Sequence, residues 1–447
     1  MEQNARENWG SRLGFILAAA GSAIGLGNIW RFSYTTGEHG GAAFLFIYLI
    51  AILLIGYPLM ATEIAIGRKT QKNPIGALST LAPNTPWWFV GALGVFAGII
   101  ILSFYSVISG WALAYTFKSL VGFVPNTNFE VMFDNHITSV WEPILWHAIF
   151  MGFTLAIIAG GVVKGIQRWA KILMPLLFIL LIALVIRGIT LPNAWEGIEY
   201  LFRPDFTAVT GTTVLAAIGQ AFFTLSLGMG TLVTYGSYLK RDENIINSTG
   251  WIIGLDTFVA ILAGIAIFPA VFSLGFSPDS GPGLAFITLP AVFASMTGGQ
   301  IFGFLFFLLL SVAALTSAIS LLEVVVAWLI DEKGWTRNKA SLLMGIFIFL
   351  VGIPTTLGNS LWQSITILNM SILDFYDFIS GNIILPLGGM LFSIFSGYIW
   401  GAVNTRNEIN NPKGWFDFGA WYEILIKYII PISIFIVMVV GLIDSFK

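Results

Sequence analysis

Apolar runs of about 20 residues, each enough to cross the hydrocarbon core of a bilayer as a helix, follow one another along almost the whole chain. They read as spans 12–36, 42–67, 88–122, 141–160, 165–190, 211–239, 245–276, 298–330, 338–357, 373–400 and 421–446. Charged residues make up 10% of the 447, against about 25% in soluble domains. The chain is therefore embedded along most of its length rather than held by one anchor. No alternation of apolar and polar residues competes with the runs, which disfavours a β-barrel. The expected architecture is an all-α membrane protein with eleven transmembrane helices.

Lysine and arginine set the direction, because they gather at the cytoplasmic ends of spans. With the N-terminus inside, that side takes all 21 basic residues except Arg31, Lys118, Arg187, Arg203, Lys427 and Lys447. An odd number of spans then puts the C-terminus outside. The expected location is the inner (plasma) membrane, multi-pass, with the lipid bilayer as surroundings. The opening stretch MEQNARENWGSR is polar and mixed in charge, unlike a secretory leader. A net charge of −2 offers nucleic acid nothing, and the lack of cysteine excludes thiol chemistry and cysteine-held metals. No span carries a His–Glu metal motif or a Ser–His pair; His39 and His136 fall in loops and His147 stands alone in span 4. No enzyme is expected.

Two of the spans are interrupted where interruption costs most. The stretch GSAIGLGNIWRF, residues 21–32, puts three glycines into span 1, and a glycine inside a helix is worse than alanine by about 1 kcal/mol. Gly21 and Gly25 form a GxxxG that could serve close helix packing alone. The sharper reading is a helix unwound at mid-membrane. Free carbonyls are tolerated there only when buried or lining a cavity; they suit a cation, and half-helix N-termini suit an anion. A second break lies in FFTLSLGMGTLVTYGSY, residues 222–238, at Thr224, Ser226, Gly228 and Gly230 of span 6. The same position thus recurs at the head of two five-span halves, and an odd number of spans inverts the second half. Paired interruptions of this kind point to a transporter binding site. The halves are expected at 1–190 (spans 1–5) and 191–400 (spans 6–10), with 401–447 supplying a cytoplasmic loop and span 11.

Ionisable groups within spans are functional hypotheses by default. Glu63 in span 2 is read as an acceptor for backbone N–H groups freed at the span 6 break. Glu323 in span 8 reads equally as a packing contact or a functional group, and Asp374 and Asp377 open span 10. Asp256 lies in IIGLDTFVAILAGIAIF, which carries no basic residue, so its carboxylate needs a proton or a bound cation. Thr316 and Ser317, in SVAALTSAIS of span 8, would ordinarily bond back to carbonyls one turn earlier. Beside an unwound span 1 they become cation ligands instead. Hard oxygens with few carboxylates suit a monovalent ion better than calcium.

The stretches RENWGSRLGFILAAAGSAIGLGNIWRF, GEHGGAAFLFIYLI, GYPLMATEIAIGR, KGIQRWAKILMP, GQAFFTLSLGMGTLVTYGSY and ITLPAVFASMTGGQIFGFLFF resemble bacterial members of the neurotransmitter:sodium symporter family, including the leucine transporter. They cover spans 1 to 8 densely; spans 9 to 11 match weakly. The resemblance implies a LeuT-like fold, with discontinuous helices 1 and 6 and an inverted 5+5 repeat, that couples sodium entry to uptake of an amino acid.

The same resemblance implies roles residue by residue. Two sodium ions are the expected cofactors. One would be held by the carbonyl of Ala23, Asn28, Thr224 and Asp256, with the substrate carboxylate completing the shell. The other would use carbonyls of Gly21, Ile24 and Ala313 and the hydroxyls of Thr316 and Ser317. The substrate carboxylate would meet the N–H groups of Gly25 and Gly27 and the Tyr105 hydroxyl. Its ammonium would face Ala23, Phe223, Thr224 and Ser226. Ser22, Ile101, Tyr105, Phe223, Met229, Ser317, Ala318 and Leu321 would surround the side chain. Arg31 and Asp377 would form the outer gate with Phe223 as lid; Arg6 and Asp331, with Trp9, Ser237 and Tyr238, the inner one.

Two departures stand out. Asp256 occupies a sodium-site position where many relatives have asparagine. Chloride-dependent relatives hold the anion near residues matching Tyr48, Gln220 and Thr224 with a serine on span 7, where this chain has Ala260. Chloride independence is expected, with proton antiport by Asp256 on the empty return. Relatives often have twelve spans, against eleven here. The mostly apolar pocket points to a hydrophobic or aromatic L-amino acid, since an amine lacking a carboxylate would want an acid where Gly25 stands. The alternatives are a sodium-dependent, receptor-like amino-acid-binding protein and a proton-coupled amino-acid transporter.

Overall fold

Inside hydrocarbon no water is available to a backbone N–H or C=O, so each apolar run must satisfy its own backbone as a helix. A computed structural model of the chain describes residues 7–273, 275–276, 278 and 281–445. Among these, nine helices are long and apolar enough to cross a membrane: Ala42–Thr70, Trp88–Gly122, Trp141–Ala159, Val162–Ile189, Ile245–Ser273, Gly299–Lys333, Arg337–Leu357, Ile372–Ile399 and Trp421–Ile443. A pair bent by 52°, Arg12–Ala23 with Gly27–Glu38, makes a tenth. The run read as 211–239 holds only Gly211–Thr224 and Thr231–Gly236 as helix, because the second break consumes its middle.

Side chains set the helix starts. Ser11 accepts from Gly14 N and Ser371 from Asp374 N, each at 3.1 Å. Thr210 and Thr213 form a reciprocal capping box ahead of Gly211. Each such cap answers an N–H that the helix itself cannot satisfy. The two 35-residue helices, Trp88–Gly122 and Gly299–Lys333, pack along one another at the centre of the molecule.

The polar stretch read as a loop at 123–140 contains a short helix, Phe129–Thr138, capped by Asn128. Phe133 stacks on Phe286 with ring centroids 5.4 Å apart. At the far end of the helix the Lys118 ammonium lies 3.1 Å from His136 Nδ1 and 2.9 Å from Glu142. Burial, and then the Lys118 charge, hold the His136 imidazole well below its ordinary pKa, while Glu142 pulls the other way. It is neutral at pH 7.

The two breaks differ in kind. In the first, Ile24 turns extended (ψ 105°) and Gly27–Arg31 resumes as a wide π-turn. In the second, Ser226, Gly228 and Gly230 all take left-handed φ, at 54°, 81° and 73°. The Gly228 N–H, freed from any helix, donates to Glu63 Oε1 at 2.8 Å, the role read for Glu63 from the sequence. A Cβ on Gly228 would run into the Leu385 carbonyl and reach 2.7 Å from Gly389 N, so the break is seated backbone-to-backbone on the Ile372–Ile399 helix. Gly228→Ala therefore combines a disfavoured φ with a backbone clash. It is expected to cost more than about 1 kcal/mol and to lower the thermal midpoint of the purified protein. Gly219→Ala, within a helix and with nothing inside 4 Å of its Cβ, is expected to be neutral or stabilising.

Candidate functional site

The two breaks face each other, and the oxygens they release are gathered by a few buried side chains. Asn28 holds the first break from both sides: its Oδ1 accepts from Gly25 N at 3.0 Å, and its Nδ2 donates to Asp256 Oδ1 at 2.7 Å and to the Asp256 carbonyl at 3.1 Å. Thr224, the last helical residue before the second break, donates to the same Oδ1 at 3.1 Å. Asp256 is fully buried and its Oδ2 has no hydrogen-bond partner. The buried Tyr48 hydroxyl and Gln220 Oε1 likewise have none, although Gln220 Nε2 reaches the Gly27 carbonyl at 2.8 Å. Unpartnered oxygens beside a carboxylate, with no lysine or arginine bonded to it, have the chemistry that suits a hard cation. Asn28, Thr224 and Asp256 are thus brought together as the sequence reading expects.

A second cluster of oxygens lies on the other side of Ile24. Thr316 Oγ1 is 2.8 Å from the Ala313 carbonyl and 3.3 Å from the Ile24 carbonyl. Ser317 Oγ is 3.1 Å from the Ser22 carbonyl and 3.5 Å from that of Ile24. Both the back-bonded and the bridging reading of these hydroxyls are therefore present. Gly21 permits the approach: a Cβ there would lie 3.2 Å from Thr316 Cβ. No carboxylate takes part.

Between the clusters is a cavity of about 30 Å³. Of the expected substrate residues, Ser22, Ala23, Gly25, Gly27, Ile101, Tyr105, Phe223, Ser226, Met229, Ser317 and Leu321 line it. Thr224 and Ala318 are buried and do not. Two residues escaped the sequence reading. Ser320 lines the cavity and is bonded to Ser22 across it at 2.7 Å; its spacing of three from Ser317 on one helix face was the available signal. The other is Leu26, whose N–H donates at 3.2 Å to the Tyr105 hydroxyl, the group read from the sequence as a partner of the substrate carboxylate. Gly25 N is occupied by Asn28, a consequence of the turn geometry that glycine spacing does not reveal.

The two ends of the path differ. On one side Arg31 and Asp377 line a cavity of about 340 Å³ with Trp30, Tyr105, Phe223 and Phe286. The expected Arg31–Asp377 ion pair is not formed. The Arg31 guanidinium lies over the Phe223 ring, 4.4 Å from its centroid, since the open cavity separates the two charges. On the other side the path is plugged. Trp9 donates through Nε1 to the Tyr235 carbonyl at 2.9 Å and through its backbone to Tyr238 at 3.0 Å. The Tyr238 hydroxyl meets Glu323 Oε1 at 2.6 Å, and Arg337 grips both Glu323 oxygens at 2.8 and 3.1 Å. Glu323, left open by the sequence, is thus part of this plug, and Arg337 was missed. Ser237 is buried and donates to the Thr234 carbonyl at 2.5 Å. Asp331 accepts from Asn73 N at 2.8 Å; its expected partner Arg6 lies outside the described residues.

One Ser–His contact that the sequence did not indicate joins Ser106 Oγ to His147 Nε2 at 2.9 Å. Ser106 also donates to the Leu102 carbonyl, and His147 Nδ1 has no partner to orient it, so the pair lacks the third member of a nucleophilic triad.

Comparison with known proteins shows the family. The family described as "Sodium:neurotransmitter symporter family" matches residues 6–138 and 134–446. The uncharacterized sodium-dependent transporter YhdH of Bacillus subtilis is 40% identical over 442 residues, 98% of each chain. An uncharacterized sodium-dependent transporter of Haemophilus influenzae is 37% identical over 452 residues, again 98% of each. The crystal structure of MhsT in complex with L-phenylalanine superposes with a TM-score of 0.89 at 48% identity, covering 98% of this chain and all of that one.

The plug makes a measurable prediction. Removing Arg337 leaves the buried Glu323 with Tyr238 alone, and an uncompensated buried charge costs about 3–5 kcal/mol. The chain has no cysteine, so a single cysteine at Ser237 reports opening without background. Arg337→Ala is expected to speed its labelling by a thiol reagent at least severalfold; unchanged labelling would remove Arg337 from the plug.

Proposed function

The chain belongs to the sodium:neurotransmitter symporter family, a family of multi-pass membrane transporters, and from that membership we propose that it imports a hydrophobic or aromatic L-amino acid with sodium, by alternating access and without chloride. The observation that carries this reading is the junction of Asn28, Thr224 and Asp256 at 2.7–3.1 Å, beside a cavity bounded by both broken helices. The first sodium is assigned to Asn28, Thr224, Asp256 and the Ala23 carbonyl, with the substrate carboxylate as a further ligand. Each ligand then raises the affinity of the other by the same factor, which is the coupling. The second sodium is assigned to Gly21, Ile24, Ala313, Thr316 and Ser317.

Several further features support the finer points. A similar chain, MhsT, is seen with L-phenylalanine, a carboxylate-bearing aromatic. Gly25 offers no acid of its own. A cation beside Asp256 already has a negative partner, and Ala260 gives an anion no hydroxyl; these favour chloride independence. Counting Gly211–Thr224 with Thr231–Gly236 as one broken span gives the eleven of the sequence reading, and the breaks then open halves 1–190 and 191–400. The open cavity at Arg31 and the plug at Trp9 correspond to an outward-facing state with the N-terminus in the cytoplasm.

Proteoliposomes test this directly. Uptake of labelled tyrosine, tryptophan or leucine is expected only under an inward sodium gradient and unchanged when gluconate replaces chloride. Sodium-dependent binding without uptake would turn the reading into a receptor. Asp256→Asn keeps the shape and removes the charge. It is expected to raise the sodium concentration for half-maximal uptake about tenfold or more, the scale of losing a buried counter-charge. Wild-type sodium dependence in that variant would overturn the role of Asp256.

A further inference from the structure

We infer that Ser22 and Ser320 form a hydrogen-bond acceptor at the side-chain end of the pocket, selecting aromatic amino acids whose ring carries a donor, a phenol O–H or an indole N–H, over phenylalanine and leucine. This rests on the amino-acid symport reading above and narrows its substrate. The pocket looks apolar in the sequence, yet four serines line it, and their protons can be followed. A hydroxyl has one proton and two lone pairs. Ser320 gives its proton to the Ser317 carbonyl at 2.8 Å. Ser317 and Ser226 give theirs to the Ser22 carbonyl at 3.1 and 3.0 Å. Ser22 gives its own to Ser320 Oγ at 2.7 Å, with Ser226 Oγ further off at 3.4 Å.

All four protons are thus committed inside the protein. The capacity left over is lone pairs, among them both on Ser22 Oγ and one on Ser320 Oγ. The two residues are 2% and 1% exposed, so water does not compete freely for their hydroxyls. A substrate group reaching this end is therefore rewarded for donating and gains nothing by accepting. The Ser226 hydroxyl stands at the ammonium end in the symport reading, which leaves the Ser22–Ser320 pair for the side chain, together with Ile101, Met229 and Leu321. Room for a ring comes from Met229, a flexible side chain held between Gly228 and Gly230, both at left-handed φ.

Because the two serines satisfy one another when no donor is present, a ring without one is not rejected outright. The selection is worth a single neutral hydrogen bond, about five- to tenfold in affinity. The test is displacement of labelled leucine from the purified full chain in saturating sodium. L-Tyrosine and L-tryptophan are expected to bind about five- to tenfold tighter than L-phenylalanine, and O-methyl-L-tyrosine, which has lost the donor, to fall to or below phenylalanine. The double variant Ser22→Ala, Ser320→Ala removes every lone pair of the acceptor and is expected to erase the tyrosine advantage, tyrosine weakening about five- to tenfold more than phenylalanine. Equal affinity for tyrosine and phenylalanine, or a variant that weakens both alike, overturns the inference and leaves the symport reading intact. Absence of sodium-dependent binding by every amino acid overturns both.

Discussion

A helix that unwinds inside a membrane releases backbone groups that must find partners there, and this requirement organises the centre of the molecule. The second break is answered by Glu63, which takes the Gly228 N–H. The first is answered by Asn28, whose amide spans from Gly25 to Asp256. The carbonyls go to hydroxyls: Ser22 O takes Ser226 and Ser317, and Ile24 O takes Thr316. Glu63 and the Thr316–Ser317 pair come from two other helices, so those helices are positioned by the same bonds that satisfy the breaks. Between the breaks, the Asp256 Oδ2, Tyr48 hydroxyl and Gln220 Oε1 remain unpartnered. On the proposed reading a cation beside Asp256 would complete that accounting.

The two faces of the molecule spend charge differently. At the plugged end Glu323 is fully buried between Tyr238 and the bidentate Arg337, an arrangement stable only while water is kept out and both partners stay in place. At the open end Arg31 and Asp377 face one cavity, with the arginine resting on Phe223. A cation over a ring keeps part of its hydration and is worth about 0.5–2 kcal/mol, so it yields readily to an ion pair when the cavity closes. One side is held by a firm contact and the other by a soft one. That is the asymmetry expected of one state in an alternating cycle.

Much of this was legible in the sequence, because the features concerned are local. Three glycines in GSAIGLG and the Gly228/Gly230 pair mark the breaks, and an acid without a basic neighbour marks Asp256. The Glu63 reading succeeded because the freed N–H groups needed an acceptor and few were available. What was missed depends on helix rotation and on the turn itself. Leu26 N meets the Tyr105 hydroxyl and Asn28 takes Gly25 N, contacts that the turn itself sets. Ser320 and Arg337 matter because their helices turn them toward Ser22 and Glu323, which no short stretch of sequence records. Arg31 and Asp377, read from the sequence as facing each other across a vestibule, line one cavity without forming an ion pair, since a sequence does not specify which state its gates occupy.

Gly25 joins these lines of reasoning. A Cβ there would press on the Ser317 hydroxyl and lie 2.8 Å from the Tyr105 hydroxyl, so a larger residue would have to displace both. With glycine, the protein places no carboxylate of its own at this point. On the proposed reading the substrate brings that carboxylate, and the tightness around Gly25 reserves the space for it. The same residue that lets the helix break thus makes the first ion shell incomplete until the cargo arrives, and so ties the ion to the cargo through packing alone.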